Sequence, residues 1–162
     1  MIQTARLNLV PKTLEDVRAW IAAMNASERA QLSADWLAQL DAATVDLWTL
    51  GFSMVPRGTN AVIGTCGYKG PPGADEVVEI AYGVAPDHQG QGYATEAAEA
   101  LTAYAFSDGH VRIVRAHTLP EANASTRVLT KCGFERVGEV MDPEDGLVWR
   151  WEIRPRVPDR NS

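Results

Sequence analysis

Cys66 and Cys132 are the only cysteines in the chain. One possible pair makes no disulfide framework, and two thiols alone cannot complete a zinc site. Both lie among apolar residues, so buried free thiols and no metal centre are expected. Basic charge is also in short supply: 15 Lys and Arg face 21 Asp and Glu, for a formal charge of −6. That balance argues against nucleic acid as a partner, because phosphate contact favours a basic surface. No run approaches the roughly 18 apolar residues of a membrane span. Met1-Ile2-Gln3-Thr4-Ala5-Arg6 lacks the basic stretch and apolar core of a signal peptide. No membrane partner and a cytoplasmic location follow as expectations. There is neither an internal repeat nor a low-complexity segment.

What is present is a globular composition, 46% hydrophobic and 22% charged over 162 residues. One domain over residues 1–155 is expected, with a flexible tail over 156–162. Arg6 to Val10 alternates as a half-buried strand should. Thr13 and Asp16 form a capping-box pattern before a helix from Leu14 to about Met24. Asn25-Ala26-Ser27 breaks that helix, and a second helical region covers about Glu28 to Leu40. Trp48 to Pro56 and Ala61 to Tyr68 read as a hairpin around Arg57-Gly58-Thr59-Asn60. Val77 to Val84 is the fourth strand. A long helix follows from Tyr93 to Phe106, then a strand from Val111 to Leu119. Asn123 to Cys132 reads as a short helix capped by Asn123 and closed by Gly133. Phe134 to Met141 and Leu147 to Ile153 complete the strands. The order implies an α/β mixed sheet with helices packed on it.

The chain is organised around Gln89-Gly90-Gln91-Gly92-Tyr93-Ala94, between the fourth strand and the long helix. A helix start has amides without intrahelical partners and about half a positive charge. Glycine lets the main chain approach a phosphate closely. The turn therefore reads as a diphosphate cradle, or as a glycine-rich connection that binds nothing. A dinucleotide fingerprint fits poorly, because Thr95 occupies its third small position and the turn lies past mid-chain.

Two segments then carry a resemblance. Glu79 to Pro86 followed by Gln89-x-x-Gly92-x-Ala94 is one, and Asn123 to Phe134 is the other. Together they resemble the GNAT family of N-acetyltransferases over Thr4 to Ile153, and within it the branch of bacterial ribosomal-protein N-terminal acetyltransferases. The resemblance implies a mixed sheet splayed between the fourth and fifth strands. It implies acetyl-CoA as co-substrate, its pantetheine arm in the gap and its diphosphate on the glycine turn. Tyr82, Val84, Gln89, Gly90, Gln91, Gly92, Tyr93, Ala94, Asn123 and Ser125 would hold it.

The implied reaction moves acetyl directly to a primary amine in a ternary complex. An amine with a lysine-like pKa near 10.4 is protonated at neutral pH, so a base must collect its proton. Glu79 is the first candidate and His117 the second. Their structural alternatives are a carboxylate pairing across the sheet and a histidine that only packs. Many relatives use a tyrosine to protonate the leaving thiolate. No tyrosine follows Tyr104 here, so Ser125 takes that role or it stays empty. Arg127 either reaches a phosphate or is an exposed helix arginine.

The resemblance leaves the acceptor open among a peptide N-terminus, an antibiotic amine and a small metabolite. Glu28, Asp35, Asp41, Asp142, Glu144 and Asp145 would rim its groove. Trp36, Trp48, Trp149 and Trp151 line it or belong to the core. A homodimer through the last strands is one expectation. A non-catalytic acyl-CoA-binding module is the competing class.

Overall fold

The computed structural model describes residues 1–32, 34–40, 46–143 and 146–155. The expected tail, and Asp41, Glu144, Asp145 and the side chain of Asp35 from the proposed rim, lie outside the described residues. The elements are β1 (Ile2–Gln3), β2 (Leu7–Pro11), α1 (Leu14–Ala22), α2 (Ala26–Arg29), α3 (Ala34–Leu40), α4 (Leu47–Leu50), β3 (Phe52–Pro56), β4 (Gly64–Tyr68), β5 (Val77–Val84), α5 (Tyr93–Ser107), β6 (Ile113–Thr118), α6 (Ala124–Lys131), β7 (Glu135–Asp142) and β8 (Gly146–Ile153).

The eight strands form one sheet in the order β1-β2-β3-β4-β5-β6-β8-β7. Every neighbouring pair is antiparallel except β5 and β6. That parallel pair carries the splay. Val77, Val78 and Glu79 pair with Ile113, Val114 and Arg115, and the pairing stops there. β5 continues along β4 as far as Gly64↔Val84, while β6 continues along β8 as far as Thr118↔Trp149. The sheet is closed at the start of β5 and open at its end.

The core lies between this sheet and α5. Ala97, Ala98, Leu101 and Ala105 are fully buried on the inner face of α5. The three alanines among them let the helix axis approach the sheet. Phe52, Met54, Leu7 and Leu9 fill the sheet side. Burying each such large side chain stabilises by about 1.5–3 kcal/mol. The Tyr68 hydroxyl donates to the Leu101 carbonyl at 2.6 Å and ties helix to strand. Trp48 stacks against Tyr68 with ring centroids 4.5 Å apart. Trp48 and Trp151 are core residues, while Trp36 is half-buried and donates Nε1–H to the Thr49 carbonyl.

Local chemistry explains where the elements depart from expectation. Trp48 does not begin a strand. Asp46 accepts the Trp48 N–H and starts the one-turn helix α4. Gly51 then turns the chain at φ +76, close against Gly67 of β4, and the strand begins only at Phe52. An apolar run of this length fits a buried turn of helix as well as a strand. Likewise, Asn25 does more than end α1. Its carbonyl oxygen accepts the Glu28 N–H and the Glu28 carboxylate accepts the Asn25 N–H, which nucleates α2. The Thr13–Asp16 capping box forms at α1. At the end of α6, the N–H groups of Gly133 and Phe134 donate to Thr130 and Leu129. The two-residue β1 carries too short a pattern to read.

Candidate active site

Helices α1, α2, α4 and α6 each begin on a side-chain cap, supplied by Thr13, Asn25, Asp46 and Asn123. The longest helix, α5, does not. It begins on Gly92, in the left-handed region at φ +86, with no side-chain cap. Its first helical bond runs from the Glu96 N–H to the Gly92 carbonyl. The amides of Tyr93, Ala94 and Thr95 therefore precede the helical ladder, and these three residues line a cavity of about 310 Å³. Val84, Gln89, Gly90 and Gly92 line it too, as do Arg127 and Lys131 one turn apart on α6. Orphan amides, a helix dipole and two cations converge on one space, which suits an anion. Lys131 was recognisable only through its i,i+4 spacing from Arg127. The Gln89 side chain donates to the Val84 carbonyl at 2.9 Å and fastens the turn to the end of β5.

A second cavity, of about 120 Å³, lies along the parting of β5 and β6. Lys69, Glu79, Ala81, Ala116 and His117 line it. Tyr82 and Ser125 line both cavities and mark where they meet. Glu79 Oε2 lies 2.8 Å from Lys69 Nζ and 3.0 Å from His117 Nδ1. Burial alone would raise the Glu79 carboxyl, but the contacts with His117 and Lys69 outweigh it and hold the group below 4.5. Arg150, opposite His117 on β8, donates Nε–H to His117 Nε2 at 3.1 Å. His117 Nδ1 is buried and close to the Glu79 carboxylate but makes no aligned hydrogen bond with it.

The Tyr82 phenol is pushed up to about 12 by burial and by Cys132, with the Ser125 hydroxyl opposing. It stays protonated at any ordinary pH. Burial also pushes Cys66 up to about 12 and Cys132 up to about 11. Neither thiol is in a disulfide, and the upward shifts favour the protonated form of both at neutral pH.

Two expected cofactor residues do not line either cavity. Gln91 is exposed. Asn123 closes a capping box with Thr126, its carbonyl oxygen accepting the Thr126 N–H at 3.0 Å. Sequence reading also missed the bracing of the turn. Glu96, on the first turns of α5, accepts Thr4 Oγ1–H at 2.7 Å, the Arg6 N–H at 3.0 Å and Arg6 Nε–H. The Arg6 guanidinium lies 4.5 Å over the Tyr93 ring and beside Gly92. Arg6 thus neutralises a carboxylate that would otherwise repel an anion on the same helix start. Arg6→Ala is expected to weaken binding of a diphosphate-bearing ligand at the turn about tenfold, equivalent to 1.4 kcal/mol. Arg6→Ala with Glu96→Gln should recover most of that loss. Titration calorimetry checks it; a double variant no better than the single one removes the electrostatic explanation.

The profile of the acetyltransferase (GNAT) domain family matches residues 3–135. An uncharacterized N-acetyltransferase p20 of Bacillus licheniformis is 32% identical over 93 residues, 57% of this chain and 52% of that protein. The chain thus spans about half the length of the curated relatives it matches. A GNAT-family acetyltransferase structure from Bacillus anthracis superposes with a TM-score of 0.67 at 20% identity, covering 94% of this chain and 97% of that one. A ribosomal L7/L12 alpha-N-protein acetyltransferase, in complex with coenzyme A, also has a TM-score of 0.67, at 17% identity over 93% of this chain and 95% of that one. With the splayed sheet, the uncapped glycine turn and the matched profile in agreement, the chain belongs to the GNAT acetyltransferase family.

Proposed function

We propose that the protein transfers the acetyl group of acetyl-CoA to a primary amine, by direct attack within a ternary complex. The observation that carries this reading is the meeting of the two cavities at Tyr82 and Ser125, with an anion cradle at the far end of one and a paired carboxylate in the other. The similar ribosomal-protein acetyltransferase structure contains coenzyme A, which supports the donor. The amides of Tyr93, Ala94 and Thr95, with Arg127 and Lys131, would receive the diphosphate. Gly90 and Gly92 shape that turn, and Val84 and Tyr82 border the pantetheine arm. The open edge of β5 can pair with that arm as with an added strand.

In the smaller cavity, Glu79 is the group that collects the amine proton, through water where needed. His117 is better placed to hold Glu79 than to act as a second base, because Arg150 occupies its Nε2. Ser125 is placed to give a proton to the leaving thiolate, and Tyr82 orients it. A cysteine acyl-enzyme is disfavoured, since both thiols are held protonated. The engagement of Glu79 by Lys69 and His117 favours the competing reading, a module that binds acyl-CoA without catalysis.

A thiol-release assay with acetyl-CoA decides between them. Peptides, aminoglycosides, polyamines and amino acids form the acceptor panel. Release of coenzyme A thiol with at least one of these amines is expected. Tight acetyl-CoA binding with no release on any of them overturns the enzyme reading.

A further inference from the structure

We propose that Lys69 is a self-acetylation site, its side-chain amine standing where an acceptor amine would stand. The inference rests on the acetyl-transfer reading above and adds to it a modification of the chain itself. The chain contains three lysines, Lys12, Lys69 and Lys131. Only Lys69 lines the smaller cavity. It directly follows β4, and its backbone N–H donates to the Glu79 carbonyl at 2.9 Å. Its base is therefore fixed across the sheet from Glu79, while its flexible four-carbon stem brings Nζ to 2.8 Å from Glu79 Oε2. The side chain is half exposed, so the amine is open to solvent as well as lining the cavity. Tyr82 and Ser125, where the acetyl end of the donor would arrive, line the same small space. An amine and a carboxylate base are thus already assembled before any acceptor enters.

The step balances as ordinary acyl transfer. The Lys69 ammonium gives one proton to Glu79, which passes it to water. The neutral Nζ attacks the thioester carbonyl carbon, forming a C–N bond. The C–S bond breaks, and the thiolate of coenzyme A takes a proton. A second proton leaves nitrogen as the amide forms, so the sum is acetyl-lysine, free thiol and one released proton. The product is neutral and bulkier. It cannot hold Glu79 as an ammonium does, and it occupies the acceptor cavity. A donor-loaded protein without acceptor would therefore slow itself.

The test is incubation of the full chain with isotopically labelled acetyl-CoA and no acceptor, followed by peptide mapping of all three lysines. Label on Lys69 is expected, at a rate per chain independent of protein concentration. Glu79→Gln should slow it about a hundredfold or more, the range of general-base assistance. Lys69→Arg should remove it. Uncatalysed acetylation instead favours amines whose charged form is destabilised, such as Lys12, which burial shifts downward. Lys12 in the native protein and all three lysines in heat-unfolded protein are therefore the controls. Preincubation with acetyl-CoA should lower the later rate with an added amine, and Lys69→Arg should lose that dependence on preincubation.

No label on Lys69, a rate that rises with protein concentration, or the same labelling pattern as unfolded protein overturns the proposal. The amine panel is run in parallel. Thiol release with the panel but no label on Lys69 sinks self-acetylation alone. Neither release nor label sinks the acetyl-transfer reading with it.

Discussion

Gly92→Val will leave acetyl-CoA binding too weak to measure while the protein remains folded. The orphan amides of Tyr93, Ala94 and Thr95 point where they do because Gly92 sits at φ +86. A β-branched residue is strained there, and the turn relaxes toward negative φ. Hydrogen bonds to a charged partner contribute about 1.5–3 kcal/mol each. Misdirecting two of the three amides costs about 3–6 kcal/mol, a loss of a hundredfold or more in affinity. The fold loses less. A Cβ at Gly92 meets only Arg6 Nη2, at 3.0 Å, and that is the movable end of a side chain. The strain itself is of order 1–2 kcal/mol, or several degrees in Tm for a chain of this size. Titration calorimetry read beside a thermal melt separates the two effects. Binding within tenfold of the unaltered protein would show that the turn is not the anion site.

Glu79→Gln will lower kcat/KM about a hundredfold to ten-thousandfold, the range of general-base assistance, and leave acetyl-CoA affinity nearly unchanged. Glutamine keeps the shape and an acceptor oxygen for Lys69 and His117, but it cannot take a proton. The pH profile follows from the direction of the shift. Because the contacts with His117 and Lys69 hold the carboxyl below the ordinary glutamate value, the base form dominates at neutral and mildly acid pH. Loss of rate between pH 8 and pH 5 then reports protonation of the acceptor amine, while the contribution of Glu79 disappears only as pH falls through the lowered carboxyl value. The same sign governs stability: the ion pairing is fully present above 4.5 and is lost as the carboxyl protonates. Steady-state rates across pH, for both proteins, check the claim. An acid limb near pH 6 that vanishes in Glu79→Gln would contradict the lowered carboxyl.

The cradle was legible because its chemistry is local. Two glycines, a strand-like run before them and an alanine-rich helix after them lie within thirty residues. The cap of Asn123 and the turn at Gly133 were legible for the same reason. The splay was anticipated only through the family resemblance, because no residue pattern states where a parallel pair stops. Lys69 escaped notice because its meaning lies across the sheet. Nothing near Gly70 and Pro71 in sequence says that its amine reaches Glu79. His117 was weighed as a base without Arg150, thirty-three positions away, which donates to its ring. Arg6 was read as one polar position of a half-buried strand, and its partner Glu96 lies ninety residues on. α4 was misread because a turn of helix and a strand share one apolar run.

The stopping of the β5–β6 pairing at Glu79 gives this sheet an edge in its interior. From Ile80 to Val84 the strand has β4 on one side and, among the described residues, no strand on the other. Outer edges of sheets are commonly guarded by charge, proline or short length, because an unpaired strand is a template for another chain. Here the unpaired edge is committed to the cavities: Ile80, Ala81 and Tyr82 line one, and Tyr82, Gly83 and Val84 line the other. A strand edge that elsewhere would invite another chain serves here as the wall of a binding space.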